Sequence, residues 1–188
     1  MAQFYDSLND KLTAFIQEQH LFFVASAVVD GRINLSPKGM DTFRVLAANR
    51  VAFMNLTGSG NETAAHLAID GHRSGGFGRL TIMFCSFTEK PLILRLYGHG
   101  RAVHRRGEEW NEYAPLFPDS IGNRNIILME VESVQTSCGF AVPFYEYVGE
   151  RPLLTEWAEN RGKDGLAKYW AEKNQVSIDG LPTKLLAD

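Results

Sequence analysis

At 188 residues the chain has the length of one domain, or of one domain with an appendage, and enough of it to bury a sizeable core. Its 45% hydrophobic and 22% charged residues are ordinary for a globular protein, and a formal charge of −3 gives no global drive toward nucleic acid or an anionic membrane. No apolar run reaches the roughly 18 residues a membrane helix needs, and Met1-Ala2-Gln3-Phe4-Tyr5-Asp6 lacks the basic segment and apolar core of a secretory signal, so a cytoplasmic protein is expected.

Residues 6–19 carry Leu8, Leu12, Phe15 and Ile16 at helical spacing and predict an amphipathic opening helix. A β-rich run follows over 21–29, Asp30-Gly31 signals a two-residue hairpin, and the chain returns over 32–35. Ser36-Pro37-Lys38-Gly39 is expected to break that second strand. Short strands are predicted over 43–46 and 51–56, joined across Ala48-Asn49-Arg50. Ser59 and Glu62 have capping-box spacing, which starts a helix at Gly60 with Ser59 as N-cap and ends it near Asp70-Gly71.

The glycines of 72–78 suggest a mobile loop. Strands are predicted over 80–87 and 92–104 around a Glu89-Lys90-Pro91 turn. A short helix carrying Trp110, Tyr113, Ala114 and Phe117 follows, then a long last strand over 126–138. Residues 152–160 and 164–173 read as two helices, the second with Leu166, Tyr169 and Trp170 on one face. The fold class is therefore mainly β with flanking helices: a six- to seven-stranded antiparallel barrel over 1–138, with a helical extension over 139–188 packed on it or on a partner. Cys85 and Cys138 lie in apolar strand-like segments and read as two reduced, buried thiols, and His104-Arg105-Arg106 as a solvated loop.

Four groups of residues could carry chemistry. Thr57, Gly58, Ser59, Gly60, Asn61 and Thr63 form a turn running into a helix mouth, where unpaired N–H groups and the helix dipole suit a phosphate. The plain alternative is a well-capped helix after a tight turn. Lys38, between Pro37 and Gly39, could supply a point charge or could be a solvated turn lysine; Arg44 and Arg79 are further cations close in sequence. The five histidines have no metal-ligand spacing, and no metal is expected. Met54, Met83, Phe84, Phe87 and Tyr97 could wall a flat ring or could simply be core.

Taken in order, these segments resemble the pyridoxamine 5′-phosphate oxidase-like family of FMN-binding split barrels. The resemblance rests on Phe23 to Ala27, on Asp30 through Gly39, on Val51 to Leu67 and on the strand from Arg79 to Cys85. It implies a split barrel that dimerises, with FMN in clefts at the subunit interface. It also implies Ser36, Pro37, Lys38 and Gly39 beside the flavin or its ribityl chain, residues 57–63 around the phosphate, and Met83 and Phe84 near the ring. Asn61-Glu62-Thr63 replaces a Ser-Arg-Lys common in that family, so Lys38, Arg44 or Arg79 would have to compensate. The chain also lacks the arginine-rich ending of the vitamin B6 enzyme. The implied function is an FMN-dependent oxidoreductase acting on a small molecule. A flavin carrier or sensor, a haem-binding barrel using His66 or His99, and a deazaflavin-binding barrel remain alternatives, and no catalytic residue is assigned.

Overall fold

In the computed structural model, residues 2–73 and 78–186 are described. A short strand β1 (Gln3–Tyr5) precedes helix α1 (Asp10–Gln17), which starts where Asn9 Oδ1 accepts from the Leu12 N–H at 3.0 Å and which buries Leu12 and Ile16. Strands β2 (Phe22–Ser26), β3 (Asn34–Lys38), β4 (Phe43–Ala47) and β5 (Arg50–Leu56) lead into helix α2 (Glu62–Arg73). Then come β6 (Gly78–Cys85), β7 (Ile93–His104), the short helix α3 (Trp110–Tyr113), β8 (Asn123–Ser137) and helix α4 (Leu153–Lys173).

The strands form one antiparallel sheet in the order β3-β2-β6-β7-β8-β5-β4, with β1 added to β8. It coils as a split barrel whose end strands β3 and β4 are not hydrogen-bonded to each other, so the expected closure is incomplete. The seven expected strands are present, and β1 makes an eighth; three mostly exposed residues left no periodic signal for it. Alternate residues of the long strands face inward, as the period of two requires. Val24, Leu80, Ile82, Leu94, Leu96, Ile127 and Met129 make one core with Phe22, Phe53 and Phe84. The rings of Phe22, Phe43, Phe53 and Phe84 meet at centroid separations of 4.9–5.7 Å. No helix among the described residues is long and apolar enough to cross a membrane.

Several sequence expectations are corrected. Asp30-Gly31 is not a two-residue hairpin: residues 27–33 separate β2 from β3, and Gly31 sits at φ +146°. Ser36-Pro37-Lys38 continues β3 rather than breaking it, because an edge strand turns alternate N–H groups away from its only neighbour and tolerates proline. Helix α2 begins at Glu62, not Gly60, and runs past Gly71 to Arg73. It lies so close to the sheet that a Cβ on Gly78 would stand 2.7 Å from Leu67 Cα, and packing of this kind outweighs the roughly 1 kcal/mol propensity loss of one glycine. Residues 74–77 of the expected mobile loop lie outside the described residues. Cys85 is buried, but Cys138 falls just beyond β8 and is exposed. Arg105 and Arg106 are tied to carbonyls rather than simply solvated, Arg105 to that of Asn123 at 2.9 Å and Arg106 to that of Leu185 at 2.8 Å.

The two expected C-terminal helices are the two halves of α4, separated by a kink at Gly162 (φ +66°, ψ 176°). Leu166 and Trp170 bury themselves with Ala158 and Leu185, and Tyr169 packs beside them.

The tightest backbone approach in the sheet occurs at the bulge between Tyr97 and Gly98, where a Cβ on Gly98 would overlap the Glu130 carbonyl. Gly98→Ala should therefore lower stability by about 3 kcal/mol, read as a lower urea midpoint at unchanged slope. Gly107→Ala, whose new methyl meets nothing closer than 3.4 Å, should leave the midpoint nearly unchanged. Equal midpoints for the two variants would contradict the close packing of β7 on β8.

Candidate functional site

Strand β5 delivers the chain to a turn that is held by atoms distant in sequence. Thr57 donates both its N–H and its hydroxyl to the Gly122 carbonyl, at 2.9 and 2.8 Å, and its hydroxyl oxygen accepts from Trp170 Nε1 at 2.9 Å. Asn61 occupies the N-cap position of α2, its carbonyl accepting from the Ala65 N–H at 3.2 Å. Its side chain does not cap. Asn61 Oδ1 is taken by Asn55 Nδ2 at 3.0 Å, and among the described residues no side-chain oxygen accepts from the first-turn N–H groups of α2. Ser59 is not the cap either, and the Glu62 carboxylate accepts from the Ile178 N–H instead, at 3.1 and 3.2 Å. The capping-box spacing is present in the sequence but unused in the fold.

Beneath this open helix mouth lies a cleft of about 380 Å³, bordered by Asn34, Ser36, Lys38, Gly58, Ser59, Gly60, Asn61, Thr63 and Arg124 among others. Lys38 Nζ donates to Asn55 Oδ1 at 3.1 Å, which fixes the orientation of that amide. Asn55 Nδ2 then donates to both Asn61 Oδ1 and Asn125 Oδ1, at 3.0 and 2.9 Å. The Nδ2 groups of Asn61 and Asn125 are left as buried donors without a partner.

Arg124 is 1% exposed, and its Nη1 donates to the Gly60 carbonyl at 2.9 Å and to Asn174 Oδ1 at 2.7 Å, while its Nε has no partner. Among the described residues no carboxylate pairs with Lys38 or Arg124. Burial, and then the charge of Arg124, push the Lys38 ammonium down to about 8. Burial pushes the Arg124 guanidinium down to about 10. Lys38, Arg124 and the start of α2 border one cleft, and cations beside a helix N-terminus suit an anion.

The structure gathers Ser36, Lys38, Gly58, Ser59, Gly60, Asn61 and Thr63 around this cleft. Pro37 is exposed on the alternate face of β3, and Thr57 points its hydroxyl toward Gly122 and Trp170. Gly39 and Arg44 border a different cleft, where Arg44 is paired with Asp41. Arg79 is ion-paired with Asp70, near the C-terminal end of α2. Phe84 lies in the barrel core and Met83 on the other face of β6, partly exposed.

His66 is buried with Nδ1 3.0 Å from Ser26 Oγ. Asn34 Nδ2 donates to Ser26 Oγ at 3.3 Å and to Thr63 Oγ1 at 3.1 Å, which links His66 to the cleft wall. Sequence reasoning missed Asn55, Asn125, Asn174 and above all Arg124. The available signal was the polar triplet Asn123-Arg124-Asn125, set directly before an apolar strand run.

Against known proteins, residues 8–138 match the family model described as pyridoxamine 5′-phosphate oxidase. A relative from Aspergillus flavus, the pyridoxamine 5′-phosphate oxidase family protein ustO, is 39% identical over 207 residues, spanning 97% of this chain and 78% of the relative. Among solved structures, a histidine-to-alanine variant of HupZ from Group A Streptococcus is similar with a TM-score of 0.51 at 17% identity, covering 69% of this chain and 98% of that one. A second HupZ structure gives a TM-score of 0.50 at 16% identity, covering 68% and 91%. At these identities the structures share the fold alone.

An anion at this cleft should bind most tightly while Lys38 is charged. Sulfate, whose charge is fixed over the range, should raise the melting temperature most below pH 8, and less as the pH rises through about 8. The free protein should show the opposite trend from this residue: a lysine held below its ordinary 10.5 lowers stability where it is charged, and the loss disappears between about pH 8 and 10.5. Lys38→Gln should weaken sulfate binding about 10- to 100-fold and flatten its pH dependence. A sulfate increment that is the same at pH 7 and pH 9.5 would contradict this site.

Proposed function

The chain belongs to the pyridoxamine 5′-phosphate oxidase family, and from that premise we propose that it is an FMN-binding flavoprotein that oxidises or reduces a small molecule. The observation that carries the reading is the pair of acid-free cations, Lys38 and Arg124, beneath the uncapped mouth of α2. A phosphate monoester supplies the acceptors that Arg124 Nε, Asn61 Nδ2 and the leading N–H groups of α2 lack, so the residues present fit the group. Lys38, Arg124, Ser59, Asn61 and Thr63 hold the phosphate end. Bound flavin would supply the electron or hydride transfer, and the protein supplies position and electrostatics.

The departure at Asn61-Glu62-Thr63 is accommodated by residues other than Arg44 and Arg79. Those two arginines are paired with Asp41 and Asp70, whereas Arg124 comes from β8 to the cleft. The carboxylate of Glu62, which would repel a phosphate, is held by the Ile178 N–H. Asn34, Ser26 and His66 continue the polar wall inward and fix the orientation of the Thr63 hydroxyl.

The assembly proposed is a cytoplasmic homodimer with its flavin sites at the subunit interface. The exposed Phe140, Phe144 and Val148 after β8, and Leu35 on the edge strand, support it. The substrate proposed is an unidentified small molecule. One observation favours a second reading, a flavin carrier or sensor without turnover. Among the described residues the only acidic side chain bordering the cleft, Glu62, is tied to a backbone N–H, and no histidine lines it.

The protein as purified should show the two-banded yellow absorption of a flavin and release FMN on denaturation, identified by chromatography. Lys38→Ala should weaken FMN binding by at least tenfold, while Arg79→Ala should leave it unchanged. A colourless protein that takes up no added FMN would overturn the proposal. Steady consumption of NADH or NADPH by the loaded protein would decide for the enzyme over the carrier.

A further inference from the structure

Helix α4 is bent by a backbone conformation that belongs to glycine. Gly162 has φ +66° and ψ 176°, and the bend turns the second half of the helix back toward the first. On the first half Leu153, Trp157 and Arg161 follow one another at intervals of four residues and share a face. From the second half Tyr169 meets Trp157 edge to face, centroids 5.1 Å apart. The Arg161 guanidinium lies over both rings, 4.7 Å from the centroid of Trp157 and 5.0 Å from that of Tyr169. With Leu154 and the Gly58–Ser59 turn these side chains border a cleft of about 480 Å³. Small-molecule sites run from roughly 300 to 1,000 Å³.

The packing of α4 does not account for this group. Ala158, Leu166 and Trp170 make its buried contacts, whereas Trp157 and Tyr169 are half-buried and Leu153 is left 64% exposed. Arg161 is without an acid although acids are close in the chain. Glu156, Glu159 and Asp164 lie within five residues of it, yet among the described residues no carboxylate pairs with it and no protein oxygen accepts from it. Contact with ring faces holds a guanidinium in place without using its N–H groups, so the whole fork of donors stays available. That fork matches the two oxygens of a carboxylate. A single guanidinium among nearby acids suits a ligand with one negative charge better than a doubly charged phosphate.

We propose that this cleft is a binding site for a small aromatic carboxylate, its carboxylate on Arg161 and its ring against Trp157, Tyr169 and Leu153. The site lies across the Gly58–Ser59 turn from the anion cleft and contains neither Lys38 nor Arg124. It goes beyond the flavin reading and does not depend on what occupies the first cleft.

A nuclear magnetic resonance titration that follows the indole N–H signal of Trp157, assigned with Trp157→Ala, tests it with benzoate as the probe. Benzoate should shift that signal saturably. Benzamide, which keeps the ring and lacks the charge, and acetate, which keeps the charge and lacks the ring, should each bind at least tenfold more weakly. Arg161→Gln should bring benzoate down to the level of benzamide at an unchanged melting temperature. Lys38→Gln, which alters only the first cleft, should leave benzoate binding as it was. The proposal is overturned if benzoate leaves the Trp157 signal in place or if benzoate and benzamide bind alike. It is overturned equally if Lys38→Gln weakens benzoate as much as Arg161→Gln does, since the carboxylate would then sit in the first cleft.

Discussion

Arg124 leaves β8 and enters the protein with almost none of its surface in water, and the acceptors it meets are the Gly60 carbonyl and the Asn174 amide oxygen rather than a carboxylate. Burying an ion costs several kcal/mol, which an opposite charge would offset and neutral oxygens offset only in part. The arrangement persists because that one guanidinium joins three parts of the chain. β8 carries it, the turn before α2 closes over it, and Asn174 beyond α4 is held by it while donating in turn to the Gly58 carbonyl at 3.1 Å. The shape of the turn, the seat of the C-terminal segment and the unneutralised charge of the cleft all follow from the same contact.

The charge is reinforced by the way amides transmit orientation. An asparagine side chain has a donor end and an acceptor end, so fixing one end fixes the other. Lys38 can only donate, and it turns Asn55 so that its NH₂ faces Asn61 and Asn125, whose own NH₂ groups are then directed away. Asn61 is thereby prevented from capping α2, a loss of about 1 kcal/mol in helix stability. A local rule is overridden here by contacts distant in the chain: the Asn61 side chain bonds Asn55 and leaves the first-turn donors of α2 without it.

Much of the barrel was readable in advance because its signals are local. Apolar runs rich in β-branched and aromatic residues, punctuated by glycine and proline, marked β2 through β8 to within a few residues. What failed did so through partners distant in the chain. Ser59-Gly60-Asn61-Glu62 has the spacing of a capping box, but the Glu62 carboxylate is taken by an N–H 116 residues away. Pro37 looked like a strand breaker, and only its place on the sheet edge makes it compatible with β3. Arg79 looked well placed because it is near the turn in sequence, yet it is committed to Asp70. Lys38 was legible from its neighbours. Arg124 was harder to read, because its partners stand 64 and 50 residues away and the polar triplet Asn123-Arg124-Asn125 is its only local mark.

The same non-local contacts couple the cleft to the end of the chain. Ile178 borders the cleft and restrains Glu62, Asp179 accepts from the Arg32 N–H at 2.8 Å and pairs with its guanidinium, and Asn174 completes the shell of Arg124. A free cleft therefore holds two like charges close together against a wall that depends on the C-terminal segment. An anion between them lowers the repulsion that both Lys38 and Arg124 experience and adds the acceptors that Arg124 Nε and Asn61 Nδ2 lack. Whatever binds there acts on the turn, the start of α2 and the C-terminal segment together, since no one of them can shift without breaking a hydrogen bond to another. The turn, the start of α2 and the C-terminal segment thus form one hydrogen-bonded network in which Arg124 is the shared member.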